Sequence, residues 1–222
     1  MIDPNDQHEV ALFALWWDAG ACESGMTQEW IGTVWNLMIA LYGQPDRHYH
    51  TLFGHVHSII MELAKYVKKH PHYLRKLFPF AYAMMMHDIH YIAGRLDNEY
   101  KSGELAANLL FGTPMEIEAD TSHKIIIDTG TGHPPTNSVE HPLGALACDL
   151  DLVGLKGDYK TFLHNGDLVR KEWKQVSDAQ FEAGRKAFMQ LFVDRGYVYR
   201  LPYFKDLYEA EAMGNIKRYL AQ

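Results

Sequence analysis

An all-α fold is predicted for this 222-residue chain by three features of its sequence. Apolar residues return at spacings of three and four, helix-starting Ser, Thr and Asp stand ahead of those runs with Gly or Pro behind them, and strand-like alternation is scarce. Asp3-Pro4 has the form of an N-cap followed by a first-turn proline, with Val10, Phe13, Ala14 and Trp17 on one face and a stop at Gly20. Thr27 caps a second helix whose apolar face is Trp30, Ile31, Val34, Leu37, Met38 and Leu41, ended by Gly43-Gln44-Pro45. A third helix is expected over about 49–67, with a turn at His70-Pro71. The stretch 77–92 is apolar nearly all round and is expected to be a buried central helix, with His87 and Asp88 near its end.

Further helices are expected over about 98–110 and 120–128, the latter stopped by Gly130-Thr131-Gly132. The proline-rich segment 133–142 must be loop. Ser177 and Gln180 form a capping box for a long helix stopped by Gly196, residues 197–203 are expected to be extended, and a last helix spans about 204–220. No internal repeat or clean linker divides the chain. One domain over 1–222 is expected, with a core over about 35–155 and a C-terminal helical part over about 156–222.

Composition narrows the function. Apolar residues at 47% and charged residues at 22% are those of a globular chain. A net charge of −7 without a basic block argues against a protein that grips a nucleic-acid polymer through many phosphates. There is no apolar run of about 18 residues and no signal-like start, so no membrane association and a cytoplasmic location are expected. Cys22 and Cys148 form no metal-type pair and are expected to be small buried residues. Thirteen histidines are many, and His48, His50, His55 and His57 fall within ten residues.

A buried helix rarely ends in an imidazole beside a carboxylate without a partner, because an unpaired buried charge is costly. His87-Asp88 therefore suits either a core histidine bonded to a neighbouring acid or a metal site. The histidine-rich stretch upstream and Asp149-Leu150-Asp151 downstream supply the additional nitrogen and oxygen donors a divalent cation needs.

These residues form part of an ordered series: Arg47-His48-Tyr49-His50, His55-Val56, His87-Asp88 with Tyr91, Asp97-Asn98-Glu99, Ser102, Thr129 with His133, Asp149-Leu150-Asp151-Leu152, Arg170-Lys171-Glu172, Gly184-Arg185, Glu209, Ala212 and Asn215. Running from Trp35 to Leu220, the series resembles the predicted metal-dependent phosphohydrolases of the HD superfamily, and implies a helical HD-domain bundle. Tyr49-His50 with His55, and Cys148 to Leu152, are also similar to patterns in the distantly related cyclic-nucleotide phosphodiesterase catalytic domains. The resemblance implies His55, His87, Asp88 and Asp151 as ligands of one divalent transition metal (zinc, manganese, iron, cobalt or nickel), with Asp149 as the rival to Asp151 and a second metal conceivable.

The same resemblance implies His50 as proton donor to a leaving oxygen. Asp88 then ligates and also orients the attacking water. Arg47 is a candidate phosphate contact or a salt bridge at a helix start. Asn98 and Glu99 suit either support of the ligands or a plain N-terminal charge on the next helix. Tyr91 suits the core or a pocket, and Arg170 suits either a substrate contact or a buried ion pair. His133 suits a second metal, a substrate phosphate or, as expected here, an exposed loop position.

The chain departs from the family pattern in three places. Four residues, Thr51 to Gly54, separate His50 from His55 where the family usually has three. On a regular helix those five positions turn about 140°, so the two rings would not share a face. A π-type turn at Gly54 or a helix starting after His50 would resolve this, and His57 is the alternative ligand. Thr129 and His133 are one residue wider apart than usual, and Met213 replaces an arginine.

A small phosphorylated substrate, favouring a nucleotide, follows from the resemblance. The competing classes are a non-hydrolytic nucleotide- or partner-binding protein and a two-iron oxygenase with His133 and His141 as extra ligands. Oligomeric state is not encoded in any feature of the sequence.

Overall fold

The structure, a computed structural model, describes residues 7–72 and 77–222. The expected Asp3-Pro4 cap lies outside the described residues. The fold is all-α, with no strand among the described residues. None of the helices there is long and apolar enough to cross a membrane. The chain divides into two compact units, Met1–Ile127 and Asp128–Gln222.

The first unit contains α1 (Gln7–Glu23), α2 (Gln28–Tyr42), a π-helical turn (Leu52–Val56) running into α3 (His57–Lys69), α4 (Leu77–Met86), α5 (Asn98–Asn108) and most of α6 (Ala119–Thr131). Its centre is aromatic. Trp17 lies 5.6 Å from Trp30, 5.4 Å from Phe78 and 6.4 Å from Tyr82, ring centre to ring centre. Each polar tip of this cluster finds a carbonyl: Trp17 Nε1 donates to Ile31 at 3.2 Å and the Tyr82 hydroxyl to Ala106 at 2.8 Å. Gly20 does not stop α1. The Phe78 ring packs against the Gly20 backbone, so that a Cβ there would sit 2.4 Å from the ring. The helix ends instead before Gly25, which takes a left-handed φ of 80°.

Thr27 caps α2 by accepting from the Trp30 amide at 3.2 Å, and Gly43 closes that helix. The central helix α4 is apolar on every side, and all residues from Phe80 to Met86 are buried. It ends at Met86, six residues short of the expected Ile92. Competing hydrogen bonds end it: the His87 ring turns back onto the Met84 carbonyl, and the Ile89 amide bonds Met86.

The second unit contains the last turn of α6, then α7 (Gly144–Asp151) with a 3₁₀ turn (Leu152–Leu155), α8 (Tyr159–Glu172), α9 (Asp178–Arg195), the short α10 (Pro202–Phe204), a π-helical turn (Lys205–Glu209) and α11 (Ala210–Leu220). α6 runs through the expected Gly130 stop to Thr131. α9 begins at the Ser177–Gln180 capping box and ends at Gly196 with φ 85°.

The segment after Gly196, expected to be extended, pairs with no strand. Two carboxylates take that part: Glu209 accepts from the amides of Val198 and Tyr199 at 2.7 and 2.9 Å, and Asp149 from those of Arg200 and Leu201, both at 2.7 Å. Four successive backbone donors are thus satisfied without a sheet. Of the two cysteines, Cys148 is buried as expected, but Cys22 is exposed.

Candidate metal centre

The crowded histidine stretch is sorted by the way α3 begins. Thr51 caps the turn by accepting from the Gly54 amide at 3.1 Å, so the helix starts after His50. The Val56 amide then reaches back five residues to the Thr51 carbonyl at 3.2 Å, which makes the first turn π-helical. Both devices that can accommodate the extra residue are therefore present. His55 becomes buried, while His50 stands outside the helix and half-buried, with its ring centre 5.5 Å from that of His55. His57 points elsewhere, packing edge-on against Phe13 of α1 at 5.2 Å. Burial pushes its pKa down, as suits a neutral imidazole against an apolar ring.

His87 and Asp88 form the turn that follows α4, and both are buried. His87 Nδ1 lies 2.7 Å from the Met84 carbonyl oxygen. A carbonyl only accepts, so this nitrogen carries the proton and the lone pair of a neutral ring is on Nε2. Nε2 faces Asp88 Oδ2 at 3.0 Å, and His55 Nε2 lies 3.7 Å from the same oxygen. A lone pair directed at a carboxylate oxygen is unfavourable unless a proton or a metal cation lies between them. A second proton on His87 would answer for one pair of atoms only, whereas a cation serves both imidazoles and the carboxylate together.

Within the first unit, His55, His87 and Asp88 each offer one ligand atom, and these atoms lie within 4.8 Å of one another, so they can contribute to a group that holds a metal ion. The donor chemistry fits: imidazole nitrogen with carboxylate oxygen suits divalent transition metals, and an Nδ1–H bonded to a main-chain carbonyl is the usual orienting contact of a ligating histidine.

In the second unit, Asp151 ends α7. His133 is half-buried, in contrast to the exposed position expected, because its Nε2 meets Asp151 Oδ2 at 3.0 Å. Asp149 is fully buried and holds the Arg200 and Leu201 amides. Burial pushes its carboxyl up to about 6 in spite of those two donors and the nearby Arg200.

The remaining candidates hold backbone. Arg47 is buried, and its guanidinium donates to the carbonyls of Asp88 at 2.6 Å, Ile89 at 2.8 Å and His50 at 3.2 Å. It lies over the Tyr42 ring at 4.8 Å and the Tyr91 ring at 5.5 Å. Arg47 thus ties the His50 segment to the His-Asp turn, a task neither sequence expectation for it described. Tyr91 packs on His50 at 4.2 Å.

Asn98 bonds both the amide and the carbonyl of Ile92 at 3.0 Å, and Ser102 does the same for His90 at 3.1 Å, so the start of α5 pins the strand-less loop after Asp88. Glu99 is half-buried in the first turn of α5. Arg170 bonds Asp178 and the carbonyls of Trp173 and Val176, closing the turn between α8 and α9.

The buried acid Asp128 entered the sequence reading only as a helix end, without the role it has. Asp128 accepts from the Glu140 and His141 amides at 2.7 and 2.8 Å and so shapes the proline-rich loop. Its only signal was an acid at the end of an amphipathic helix just before a loop. Compared with models of known protein families, with curated proteins and with solved structures, the chain matches none.

Proposed function

We propose that the protein is a metal-dependent phosphohydrolase of the HD superfamily, acting on a phosphate ester of a small molecule, with nucleotides as the favoured class. The observation that carries the proposal is the orientation of His87. Its Nδ1 is committed to the Met84 carbonyl, its Nε2 faces Asp88 Oδ2 at 3.0 Å, and His55 converges on the same oxygen. The order first histidine, His-Asp pair, late aspartate along the chain supports the superfamily, and the helical fold is consistent with it.

His55, His87, Asp88 and Asp151 hold the ion. When bound, a divalent ion lowers the pKa of water and polarises a phosphoryl oxygen. The protein's own groups do the rest. Asp88 orients the attacking water through a carboxylate anchored in the turn that Arg47 clamps. His50, half-buried beside Tyr91 and outside the ligand group, donates a proton to the leaving oxygen, a contribution of roughly 10²- to 10⁴-fold. Arg47 acts as a positioning residue, since its donors are directed at three carbonyls.

The test is a panel of nucleotides, cyclic nucleotides and sugar phosphates assayed after chelation and after reconstitution with zinc, manganese, cobalt, nickel or ferrous iron. Metal-dependent release of phosphate or of a nucleotide monoester from at least one class is expected. Tight ligand binding with no turnover under any metal would instead identify a non-hydrolytic binder.

A further inference from the structure

The contact between His133 and Asp151 belongs to a braced unit whose parts come from three separated stretches of the second compact unit. His133 Nε2 lies 3.0 Å from Asp151 Oδ2. A carboxylate accepts, so the ring donates through Nε2. The loop that carries His133 is held by its own backbone and by two arginines. The Asn137 amide bonds the His133 carbonyl at 3.0 Å, and the Ser138 amide bonds Thr131 at 2.9 Å. Arg200 donates to the Gly132 carbonyl, next to His133, and to the Asn137 carbonyl at 3.3 Å. Arg195 donates to Asn137 Oδ1 at 2.9 Å.

Arg200 also holds the other side. Its backbone amide donates to Asp149 Oδ1 at 2.7 Å, and Asp149 stands on α7 two residues before Asp151. A single residue therefore grips the helix that bears Asp151 through its main chain and the loop that bears His133 through its side chain. Local sequence shows none of this, since the three stretches lie far apart along the chain.

We infer that His133 is a positioning residue for the metal ligand Asp151, and that Arg200, which does not touch Asp151, sets the distance between the two. The His133 donor holds one carboxylate oxygen and removes the rotation that would let Asp151 leave the ion. A ligating carboxylate that is itself hydrogen-bonded binds metal more tightly, and loss of such a partner costs about 10- to 100-fold in affinity. The role depends on Asp151 binding metal as proposed above.

The experiment is titration of the metal-free full-length protein with zinc, in a competition assay with a chromogenic chelator, alongside thermal unfolding of the metal-free state. His133→Ala is expected to weaken zinc binding about 10- to 100-fold with little change in metal-free melting temperature. His133→Gln, whose side-chain nitrogen reaches about as far as Nε2, is expected to recover most of that loss. Arg200→Gln is expected to weaken binding in the same direction. If the alanine variant does not fold, His133→Phe keeps the ring volume without the donor and takes its place. Wild-type affinity in the donor-less variant, or equal losses in the alanine and glutamine variants, would overturn the role of His133. Absence of zinc binding by the wild type would overturn the metal site itself, and the inference with it.

Discussion

Asp88→Ala is expected to leave the protein folded, empty of metal and without turnover. Asp88 Oδ2 is the oxygen on which both His55 and His87 converge, so its removal takes away the charge that makes two neutral imidazoles a cation site. The expected loss is at least ~10³-fold in kcat/KM, or ~4 kcal/mol of transition-state stabilisation. Helix content should survive in the far-ultraviolet spectrum, because the Asp88 main-chain carbonyl that Arg47 holds is unchanged by the substitution.

Stability provides an independent readout. Metal at 100 times its dissociation constant stabilises the folded state by ~2.7 kcal/mol, or roughly 5–10 °C for a chain of this size. Chelated wild type and Asp88→Ala should therefore unfold at about the same temperature, below that of the loaded wild type. Full metal content in the variant would sink the assignment.

The second large effect separates three histidines that lie within eight positions. His55→Ala is expected to lose metal, His50→Ala to keep metal and lose rate, and His57→Ala to do neither, since its ring packs on Phe13. The rate loss at His50 should reach roughly 10²- to 10⁴-fold on an alkyl phosphate and shrink on p-nitrophenyl phosphate, whose leaving group needs no proton. Equal metal loss in the His50 and His55 variants would make His50 a ligand. Metal loss confined to His57→Ala would mean that α3 begins as a regular helix.

What the sequence made legible was chiefly what is decided within a few residues. Thr27, and Ser177 with Gln180, cap their helices because a side chain and an amide three positions apart meet whatever surrounds them. The all-apolar stretch of α4 could only be buried, and the extra residue before His55 had few physical solutions, two of which occur together. Residue type and order singled out the His87-Asp88 pair, and the full set of candidate ligands came from the resemblance.

Contacts between distant segments were not legible. Nothing near Glu209 announces that it accepts the Val198 and Tyr199 amides, and nothing near Arg47 shows that its donors end on carbonyls 41 and 42 positions away. Two helices, α7 and α8, were missed for a related reason. Only Phe162, Gly166 and Glu172 of α8 are buried, too sparse a stripe to register as an amphipathic period. The helix nevertheless has a local start in Asp158, which accepts from the Thr161 amide at 2.7 Å. Histidine at 133 shows the limit from the other side, because flanking glycine and prolines describe a loop but not the carboxylate it will meet.

The central claim is that two imidazoles and carboxylate oxygens hold one divalent ion, and X-ray absorption of the protein loaded with one equivalent of zinc tests it most directly. The expected spectrum has a shell of nitrogen and oxygen at ~2.0–2.1 Å with the outer scattering of two imidazole rings and no sulfur. A zinc–sulfur distance near ~2.3 Å, or a spectrum with no imidazole scattering, would contradict the site described here.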